Sequence, residues 1–517
     1  MEHENRFESK ETFFSTLSKY HLRTKNFGTK IVDAFPYGGD GGVPLAWREE
    51  DRTVFIDASD NHTLIIGSTG SKKSRLLVMP TVKILGYAGE SMIITDPKAE
   101  IFERTAVELA NNGYKILVIN LRDPSASDNW NPLKIPYDFY CAGDQDRAYE
   151  FANDVATNLV LSEPGHTKEP YWDNSAKDLL FGLTLLLFRI CKENNWPDAV
   201  NIDSLMMMRR KMFADDDITW YSGYASKQIG EYIKSNAVID ASLIGTINNA
   251  PNTRRNIICQ LDHHLSPFVL SDKLTQMLSR NNINLDLLGQ EKTAVFLIMP
   301  DEKTTYHKVV SLFIKQSYEH MIYCAQSLPN KTMPIRINYV LDEFSSLPKI
   351  KDFPSMISAA RSRNIRFNLI MQSKNQFQRH YSSEAETIQA NCSNWLFITS
   401  RELDLLEHIS DLCGKRTGTD KPLISVSELQ RFNKEKGEIM ILHGRKRPFK
   451  GFLPDIDKYD DVKFALPDYP CNPTFYENDS KKMLEDKLRV LMTNSASSSI
   501  SSNDNEKVLP PIDDVWM

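Results

Sequence analysis

Leu64-Ile65-Ile66-Gly67-Ser68-Thr69-Gly70-Ser71-Lys72-Lys73-Ser74 is the stretch that decides the fold of this chain. An apolar strand runs there into a glycine-rich turn that ends in Lys-Ser. The turn matches the phosphate-binding pattern G-x-x-x-x-G-K-[ST] at every fixed position but one, because Lys72 stands where the second glycine belongs. The stretch therefore predicts a phosphate-binding loop. The alternative is an ordinary Gly/Ser turn before the basic start of a helix.

The residue types of this loop suit a nucleotide. Glycines let successive N–H groups point at one anion, and the following helix offers its positive N-terminal end. Lys73 is expected to reach the β/γ-phosphates of ATP, and Ser74 to hold Mg²⁺. The Cβ of Lys72 would crowd the curl and its charge adds a cation, so the loop predicts nucleotide binding but not a fast rate of hydrolysis. The predicted nucleotide-binding residues are Gly67, Ser68, Thr69, Gly70, Ser71, Lys72, Lys73 and Ser74.

A second stretch, Arg336-Ile337-Asn338-Tyr339-Val340-Leu341-Asp342-Glu343, is an apolar strand that ends in two carboxylates. A P-loop ATPase needs one carboxylate to hold the Mg²⁺ shell and another to orient and deprotonate the attacking water. Asp342 fits the first role, beside Ser74, and Glu343 fits the second as a catalytic base. The alternative is a strand followed by a solvated acidic turn, which the upstream loop disfavours.

Length and composition describe an ordinary globular protein. The chain has 517 residues, of which 41% are hydrophobic and 25% charged, which allows a large core and about two to four domains. Its net charge of −6 gives no overall basic signal, so any contact with nucleic acid must come from local patches. The seven scattered cysteines show no CxxC pair and no zinc spacing, which indicates reduced cytosolic thiols.

Hydropathy gives no sign of a membrane span. The longest apolar run, Leu179–Ile190, is too short to cross a bilayer, and the polar stretch Met1–Lys30 contains no signal peptide. We therefore expect a cytoplasmic protein that something else holds at the membrane if it works there.

Short apolar strands alternate with helices from Thr53 onward, which is typical of an α/β fold with a parallel sheet. Helical periodicity replaces this pattern between about 140 and 290, and the α/β pattern then resumes. The predicted division is 1–50, an N-terminal leader and loop; 51–140, the first part of a nucleotide-binding domain; 141–290, an inserted all-α domain; 291–477, the second part of the nucleotide-binding domain; and 478–517, a flexible C-terminal tail.

Several segments predict local structure within these parts. Three stretches of the insertion have helical periodicity, and a hairpin is expected to close the second α/β part. Near the C-terminus an amphipathic helix precedes a Ser-rich linker, and Trp516 on the acidic tip is a candidate docking anchor. The helical stretches are Asp144–Leu161, Asn174–Cys191, Lys227–Ile239 and Lys481–Met492, and the hairpin strands are Ile439–His443 and Phe449–Leu453.

The ordered motifs resemble those of the type IV secretion coupling proteins, the TraG/TraD-like ATPases of conjugative DNA transfer. The resemblance covers about residues 45 to 455. It is carried by Gly67–Arg75, Thr95-Asp96-Pro97-Lys98-Ala99-Glu100, Asn120–Ser125 with Asn131–Leu133, Tyr171–Asp173, Pro300–Glu302, Leu341–Phe344, Arg361–Ile365 and Met371–Ser373.

This resemblance implies a RecA-like P-loop motor domain with an inserted all-α domain. It also implies a homo-hexamer with ATP and Mg²⁺ between subunits and DNA, non-specific and single-stranded, in a central channel. The implied partners are a relaxase or other secreted cargo and a membrane protein of the secretion channel, at the inner face of the cell membrane. Two departures stand out: Lys72 replaces a glycine, and the chain lacks the transmembrane helices that precede the motor in the family.

Two further catalytic roles are expected. Gln372 follows a strand beyond the carboxylate strand, where a neutral amide can sense the γ-phosphate; the alternative is a plain surface amide. The resemblance implies that Arg361 is an arginine finger reaching the nucleotide of the neighbouring subunit. The alternative for Arg361 is a solvated arginine paired with a carboxylate, and Arg363 is the nearest competitor for the role.

Weaker expectations concern polar residues outside the two motifs. Asp96 and Lys98 are predicted either to line the nucleotide cleft or to be an exposed loop pair. Arg254-Arg255 and Arg445-Lys446-Arg447 are candidate patches for non-specific phosphate contacts, with solvated turns as the alternative.

The leading hypothesis is an ATP-driven coupling protein that delivers DNA or nucleoprotein to a type IV secretion channel. One alternative is a non-hydrolysing nucleotide-binding adaptor that recruits cargo, which Lys72 favours and the Asp342-Glu343 pair opposes. Another is a chromosome-segregation DNA translocase with the same motor. The helical insertion and the Asp96-Pro97-Lys98 signature favour the coupling family.

Overall fold

A computed structural model of the chain describes residues 7–15, 18–21, 40–50, 52–161, 170–213, 228–416, 418–459, 466–471 and 479–492. The predicted Ser-rich linker and Trp516 lie outside these residues, as does most of the predicted N-terminal leader.

Within the described residues, a sheet of nine strands forms the centre of the fold, and a second sheet of three strands shares an apolar cluster with one of its faces. The order in the large sheet is β12-β11-β10-β4-β9-β8-β5-β7-β6, and the order in the small sheet is β1-β3-β2. The strands are β1 Ser18–His21, β2 Val43–Arg48, β3 Thr53–Asp57, β4 His62–Ile66, β5 Ser91–Asp96, β6 Lys115–Asn120, β7 Thr293–Ile298, β8 Ile337–Leu341, β9 Ile365–Met371, β10 Cys392–Phe397, β11 Glu438–His443 and β12 Phe449–Phe452.

Helices cover the large sheet and fill the interval between β6 and β7. A π-helical turn, Ser74–Val78, follows the predicted phosphate loop. The α-helices are α1 Lys10–Ser15, α2 Met79–Ala88, α3 Glu100–Asn111, α4 Lys134–Ala142, α5 Gln145–Val160, α6 Pro170–Asn194, α7 Ile202–Met212, α8 Gln228–Lys234, α9 Ala237–Ile247, α10 Pro251–Val269, α11 Asp272–Met277, α12 His307–Gln326, α13 Phe353–Ala360, α14 Lys374–Tyr381, α15 Glu384–Asn391, α16 Leu403–Cys413, α17 Val426–Gln430 and α18 Asp479–Met492.

The seven strands from β10 to β6 in the order of the large sheet are each parallel to their neighbours. The predicted hairpin of β11 and β12 is antiparallel and pairs with β10 at one edge. Every residue of β5, β7, β8 and β9 is buried, as expected for parallel strands covered on both faces. Because these strands are parallel, the residues that follow β4, β5, β8 and β9 share one edge of the sheet. That edge carries the phosphate loop and the two carboxylates.

The two faces of the sheet pack into different apolar clusters. Leu64 and Ile66 belong to the cluster that includes the helices between β6 and β7, whereas Ile65 belongs to the cluster on the opposite face. This alternation is the two-residue period of a strand. The helical insertion therefore shares its core with one face of the motor sheet.

One predicted helix of the insertion is wrong in its bounds. The stretch Lys227–Ile239 is not a single helix, because α8 ends at Lys234 and α9 begins at Ala237. The side chain of Asn236 accepts hydrogen bonds from the N–H groups of Val238 and Ile239, so it caps α9 and separates the two helices. The other two predicted helices of the insertion correspond to α5 and α6.

The predicted amphipathic helix near the C-terminus is confirmed as α18. Its apolar face is buried through Leu484, Leu488 and Leu491. Lys211 of α7 pairs with Glu485 at 2.7 Å, so α18 is docked on the helical insertion.

In the portion of the chain that the structure describes, no helix combines the length and the apolar character that a membrane span requires.

Candidate nucleotide-binding site

The predicted phosphate loop joins β4 to the π-helical turn and α2. Its first residues are held between two neighbouring strands, since the N–H of Gly67 donates to Met371 at 3.1 Å and that of Ser68 to Thr399 at 2.8 Å. A Cβ at Gly67 would lie 2.6 Å from Ser71 Oγ, so the close approach of the loop to itself requires glycine there. The parallel sheet thus fixes where the loop begins.

Lys72 has a φ of +66°, in the left-handed region where glycine is normally found. The sequence predicted that a Cβ at this position would be unfavourable, and the backbone geometry confirms it. The Lys72 ammonium group pairs with Glu435 and lies 4.0 Å from Asp455. Its charge is thus balanced by carboxylates that lie outside the loop.

Lys73 is buried, and its Nζ donates to the carbonyls of Gly67 at 2.6 Å and Ser68 at 3.2 Å. Burial lowers the pKa of Lys73, while the nearby charges of Asp342 and Glu343 act to raise it. The lysine that is expected to bind phosphate therefore bonds to the loop itself in this structure.

Ser74 and Asp342 are 268 residues apart in sequence, and the fold brings them together. Ser74 Oγ donates to Asp342 Oδ2 at 3.1 Å, and the N–H of Glu343 donates to Asp342 Oδ1 at 3.0 Å. Burial raises the pKa of Asp342, and the charge of Lys73 acts in the opposite direction. A hydroxyl and a carboxylate side by side are the hard oxygen donors that suit Mg²⁺.

Glu343 is the second residue after β8 and has a left-handed backbone with φ +60°. Gln372 Nε2 donates to the Glu343 carboxylate, and Thr69 Oγ1 donates to Gln372 Oε1 at 2.6 Å. Burial, and then the charge of Asp342, raise the pKa of Glu343. Hydrogen bonds thus connect Thr69 of the loop, through Gln372, to Glu343. The sequence did not predict this connection.

Asp96 and Lys98 line the same cleft, whose volume is about 250 Å³. Asp96 is buried, and its Oδ2 accepts a hydrogen bond from the N–H of Phe102 at 2.8 Å. Burial, aided by the charge of Asp342, raises the pKa of Asp96 to about 7. The two residues are therefore not an exposed pair, because only Lys98 is exposed.

Two segments, one after α17 and one after β12, contact the loop and the π-helical turn, and sequence reasoning missed both. Lys434 Nζ donates to the carbonyl of Gly70 at 2.8 Å, and Arg75 Nε donates to Asp455 at 3.1 Å. These contacts join residues more than 360 positions apart, and no local pattern in the sequence signals them.

Arg361 is exposed and lies far from the phosphate loop of its own chain. It sits in the 3₁₀ turn Arg361–Arg363 immediately before β9, at the edge of the parallel sheet opposite the loop. The structure therefore does not bring Arg361 or Arg363 to Glu343 within one chain.

The basic patch predicted at Arg254-Arg255 is wrong for Arg254. That residue is buried, and its Nη1 donates to the carbonyls of Ile247 at 3.0 Å and Asn249 at 3.3 Å. Its guanidinium satisfies carbonyls at the end of α9. The stretch 445–447 is exposed in the turn between β11 and β12.

Comparison with known proteins identifies related sequences. The family model described as "Type IV secretory system Conjugative DNA transfer" matches residues 15–437. A conjugal transfer protein TraG from Escherichia coli is 22% identical over 386 residues, covering 72% of this chain and 58% of that protein. Protein VirD4 from Rhizobium rhizogenes is 22% identical over 363 residues, covering 69% of this chain and 50% of that protein. The chain thus spans between 50% and 58% of the length of these relatives.

Solved structures share the fold. The plasmid coupling protein TrwB in complex with ADP and Mg²⁺ matches with a TM-score of 0.58 and 15% identity, covering 91% of this chain and 97% of that one. TrwB in complex with the ATP analogue ADPNP matches with a TM-score of 0.56 and 16% identity, covering 88% and 100%. These matches confirm the predicted fold class, an α/β RecA-like motor with an inserted all-α domain.

Proposed function

This chain belongs to the type IV secretory system family of conjugative DNA transfer, and we propose that it is an ATP-driven coupling protein that delivers DNA or nucleoprotein to a secretion channel. The observation that carries the proposal is the cluster at the sheet edge, where Ser74, Asp342 and Glu343 meet the phosphate loop. The solved TrwB structures contain ADP with Mg²⁺ or an ATP analogue, which supports the same ligands here.

The described residues fit ATP and Mg²⁺. Ser74 and Asp342 would hold the ion, and Lys73 would exchange its bonds to the loop carbonyls for bonds to phosphate. Bound Mg²⁺ supplies charge neutralisation for the phosphates. The loop N–H groups and the start of the following helix would orient the same anion.

Glu343 is the proposed general base. Its raised pKa favours uptake of a proton from the attacking water, and its carboxylate is oriented by Gln372. Gln372 is in turn held by Thr69 of the phosphate loop, so a change at the loop is transmitted to the base. This makes Gln372 the proposed sensor of the γ-phosphate.

The proposal extends to assembly and partners. The chain would form a homo-hexamer, with single-stranded DNA passing non-specifically through a central channel and Arg361 reaching the nucleotide of the next subunit. A relaxase or other cargo would be handed to a membrane protein of the channel at the inner face of the cell membrane. The family description supports a role in DNA transfer, and the exposed position of Arg361 suits a contact between subunits.

One observation favours the alternative function, a nucleotide-binding adaptor that does not hydrolyse ATP. This observation is the left-handed backbone of Lys72 in the phosphate loop. The adaptor function predicts that the wild-type protein binds nucleotide without measurable turnover. Phosphate release by the purified wild-type protein, with and without single-stranded DNA, separates the two functions.

Two substitutions test the site. Lys73→Ala should abolish nucleotide binding, because the lysine neutralises phosphate charge in the ground state. Glu343→Gln should bind a fluorescent ATP analogue normally and lose about 10²–10⁴-fold in turnover, because the base acts only on the water. Glu407→Gln, which changes an exposed carboxylate outside the cleft, is the control. Equal turnover in wild type and Glu343→Gln would refute the assignment of the base.

A further inference from the structure

A second cluster of chemically active side chains lies at the other edge of the sheet from the phosphate loop. His320 and Cys324 are four residues apart in the last turns of α12, so their side chains share one helix face. Asp286 comes from the turn Leu285–Leu287, which leads from the helical insertion back into β7. One ligand atom from each of the three side chains lies within 4.8 Å of the other two.

The distances within this cluster approach those of a tetrahedral metal site. Bonds of about 2.0–2.1 Å to nitrogen or oxygen and about 2.3 Å to sulfur place tetrahedral donor atoms roughly 3.3–3.6 Å apart. Cys324 Sγ already lies 3.6 Å from His320 Nε2. Asp286 Oδ1 lies 2.6 Å from the same nitrogen and would need to move away by about 0.7 Å. Asp286 can make that movement, because its side chain is 64% exposed.

The surroundings leave room for an ion. A cavity of about 440 Å³ opens beside the cluster between α4, the segment 281–286 and α12. His320 is buried, and its Nδ1 has no hydrogen-bond partner among the described residues. Nε2, which faces Asp286 and Cys324, is the ring nitrogen that would bind an ion.

We propose that Asp286, His320 and Cys324 bind a divalent ion of the zinc class, with the fourth coordination position open to the cavity. A thiolate, an imidazole and a carboxylate form a donor set that suits Zn²⁺ or Co²⁺ and not Mg²⁺. The ion would tie the segment that returns from the helical insertion to α12 of the motor. This site is separate from the nucleotide cleft and does not rest on the proposed function.

Cobalt is the probe that tests the site. Chelator-treated protein titrated with Co²⁺ should develop a thiolate-to-cobalt charge-transfer band that saturates at one ion per chain and disappears when Zn²⁺ is added. The nucleotide cleft cannot produce this band, because its described lining contains no cysteine. Absence of the band in the wild-type protein would overturn the proposal.

Three variants locate the ion. Cys324→Ser should lose the band, while Cys259→Ser, which changes an exposed cysteine of α10, should keep it. Asp286→Asn changes an exposed side chain, so its fold should survive and its affinity for Co²⁺ should fall at least about tenfold. Circular dichroism checks the fold of each variant. An unchanged affinity in folded Asp286→Asn, or a band that persists in Cys324→Ser, would show that His320 and Asp286 form only an ion pair.

Discussion

Lys72 adopts a backbone angle that is unfavourable for lysine. An L-residue in the left-handed region costs roughly 1–2 kcal/mol relative to glycine, and Lys72 has φ +66° at the position where the loop pattern calls for glycine. The loop keeps its curled shape because the flanking strands and the segment beyond α17 hold it. Strain of this kind at a ligand-binding loop is a reason to examine hydrolysis directly.

We predict that Lys72→Gly raises the rate of ATP hydrolysis and stabilises the protein by about 1 kcal/mol. The backbone strain is relieved and the loop can approach the phosphates more closely. Steady-state phosphate release and denaturant unfolding measure the two effects. Glu435→Gln is the matched control, because it breaks the ion pair of Lys72 and leaves the backbone residue unchanged. An unchanged or lower rate in Lys72→Gly would mean that the loop has adapted to lysine.

Asp96 should make stability depend on pH. Burial raises the pKa of Asp96 from its ordinary value of 3.8 to about 7, so the folded state keeps a proton that the unfolded state releases between these values. The stability from this group is complete below about pH 4 and is lost as the pH rises through about 7. Asp96→Asn should therefore gain stability relative to wild type between pH 5 and pH 8.

Denaturant unfolding at pH 5 and pH 8 measures this difference. Asp60→Asn, at an exposed position, should follow the wild-type pH dependence. Parallel pH curves for wild type and Asp96→Asn would contradict the raised pKa of Asp96.

At the scale of elements, α18 shows how the end of the described chain is attached. Its buried leucines pack against the helical insertion, and Lys481 also pairs with Asp203 at the start of α7. The Lys211–Glu485 and Lys481–Asp203 pairs are partly open to solvent, which screens their attraction. The apolar contact is therefore the main source of attachment.

Leu488→Ala should weaken that attachment by about 2–5 kcal/mol, because it leaves a cavity in a buried contact. Hydrogen exchange of residues 479–492 should become faster. Met483→Ala, at a side chain that is 48% exposed on the same helix, should change exchange little. Equal protection in both variants would show that the leucine face does not hold α18.

At the scale of the whole molecule, the position of Arg361 raises the question of assembly. The residue lies at the edge of the sheet away from its own phosphate loop. A catalytic role would therefore require a neighbouring subunit. Arginine fingers contribute roughly 10³–10⁵ in rate where they have been quantified.

Arg361→Ala is expected to bind ATP normally and hydrolyse it poorly. Mixing it with Glu343→Gln subunits should restore part of the activity, because some interfaces then join an intact base to an intact arginine from the neighbour. Native mass measurement must first show mixed rings. Arg363→Ala is the control for the neighbouring arginine. If mixed rings form without activity, Arg361 has no role in trans.

The amino-acid sequence by itself determined the features that depend on neighbouring residues. The glycine pattern predicted a phosphate-binding loop after β4, and apolar runs ending in polar residues located β4, β5, β8 and β9. Even the unfavourable backbone at Lys72 followed from the pattern, because the demand for a positive φ is local. Parallel pairing then brought Asp342 to Ser74, since the ends of parallel strands share one edge.

The tertiary structure alone decided contacts between distant segments. The link from Thr69 through Gln372 to Glu343, and the pairing of Lys72 with Glu435, depend on how several elements pack at once. The same reason explains why the sequence does not predict the cluster of Asp286, His320 and Cys324, since Asp286 comes from a different element. Side chains that meet across hundreds of residues leave no periodic pattern in the sequence, because their contacts depend on how the whole sheet and its helices pack together.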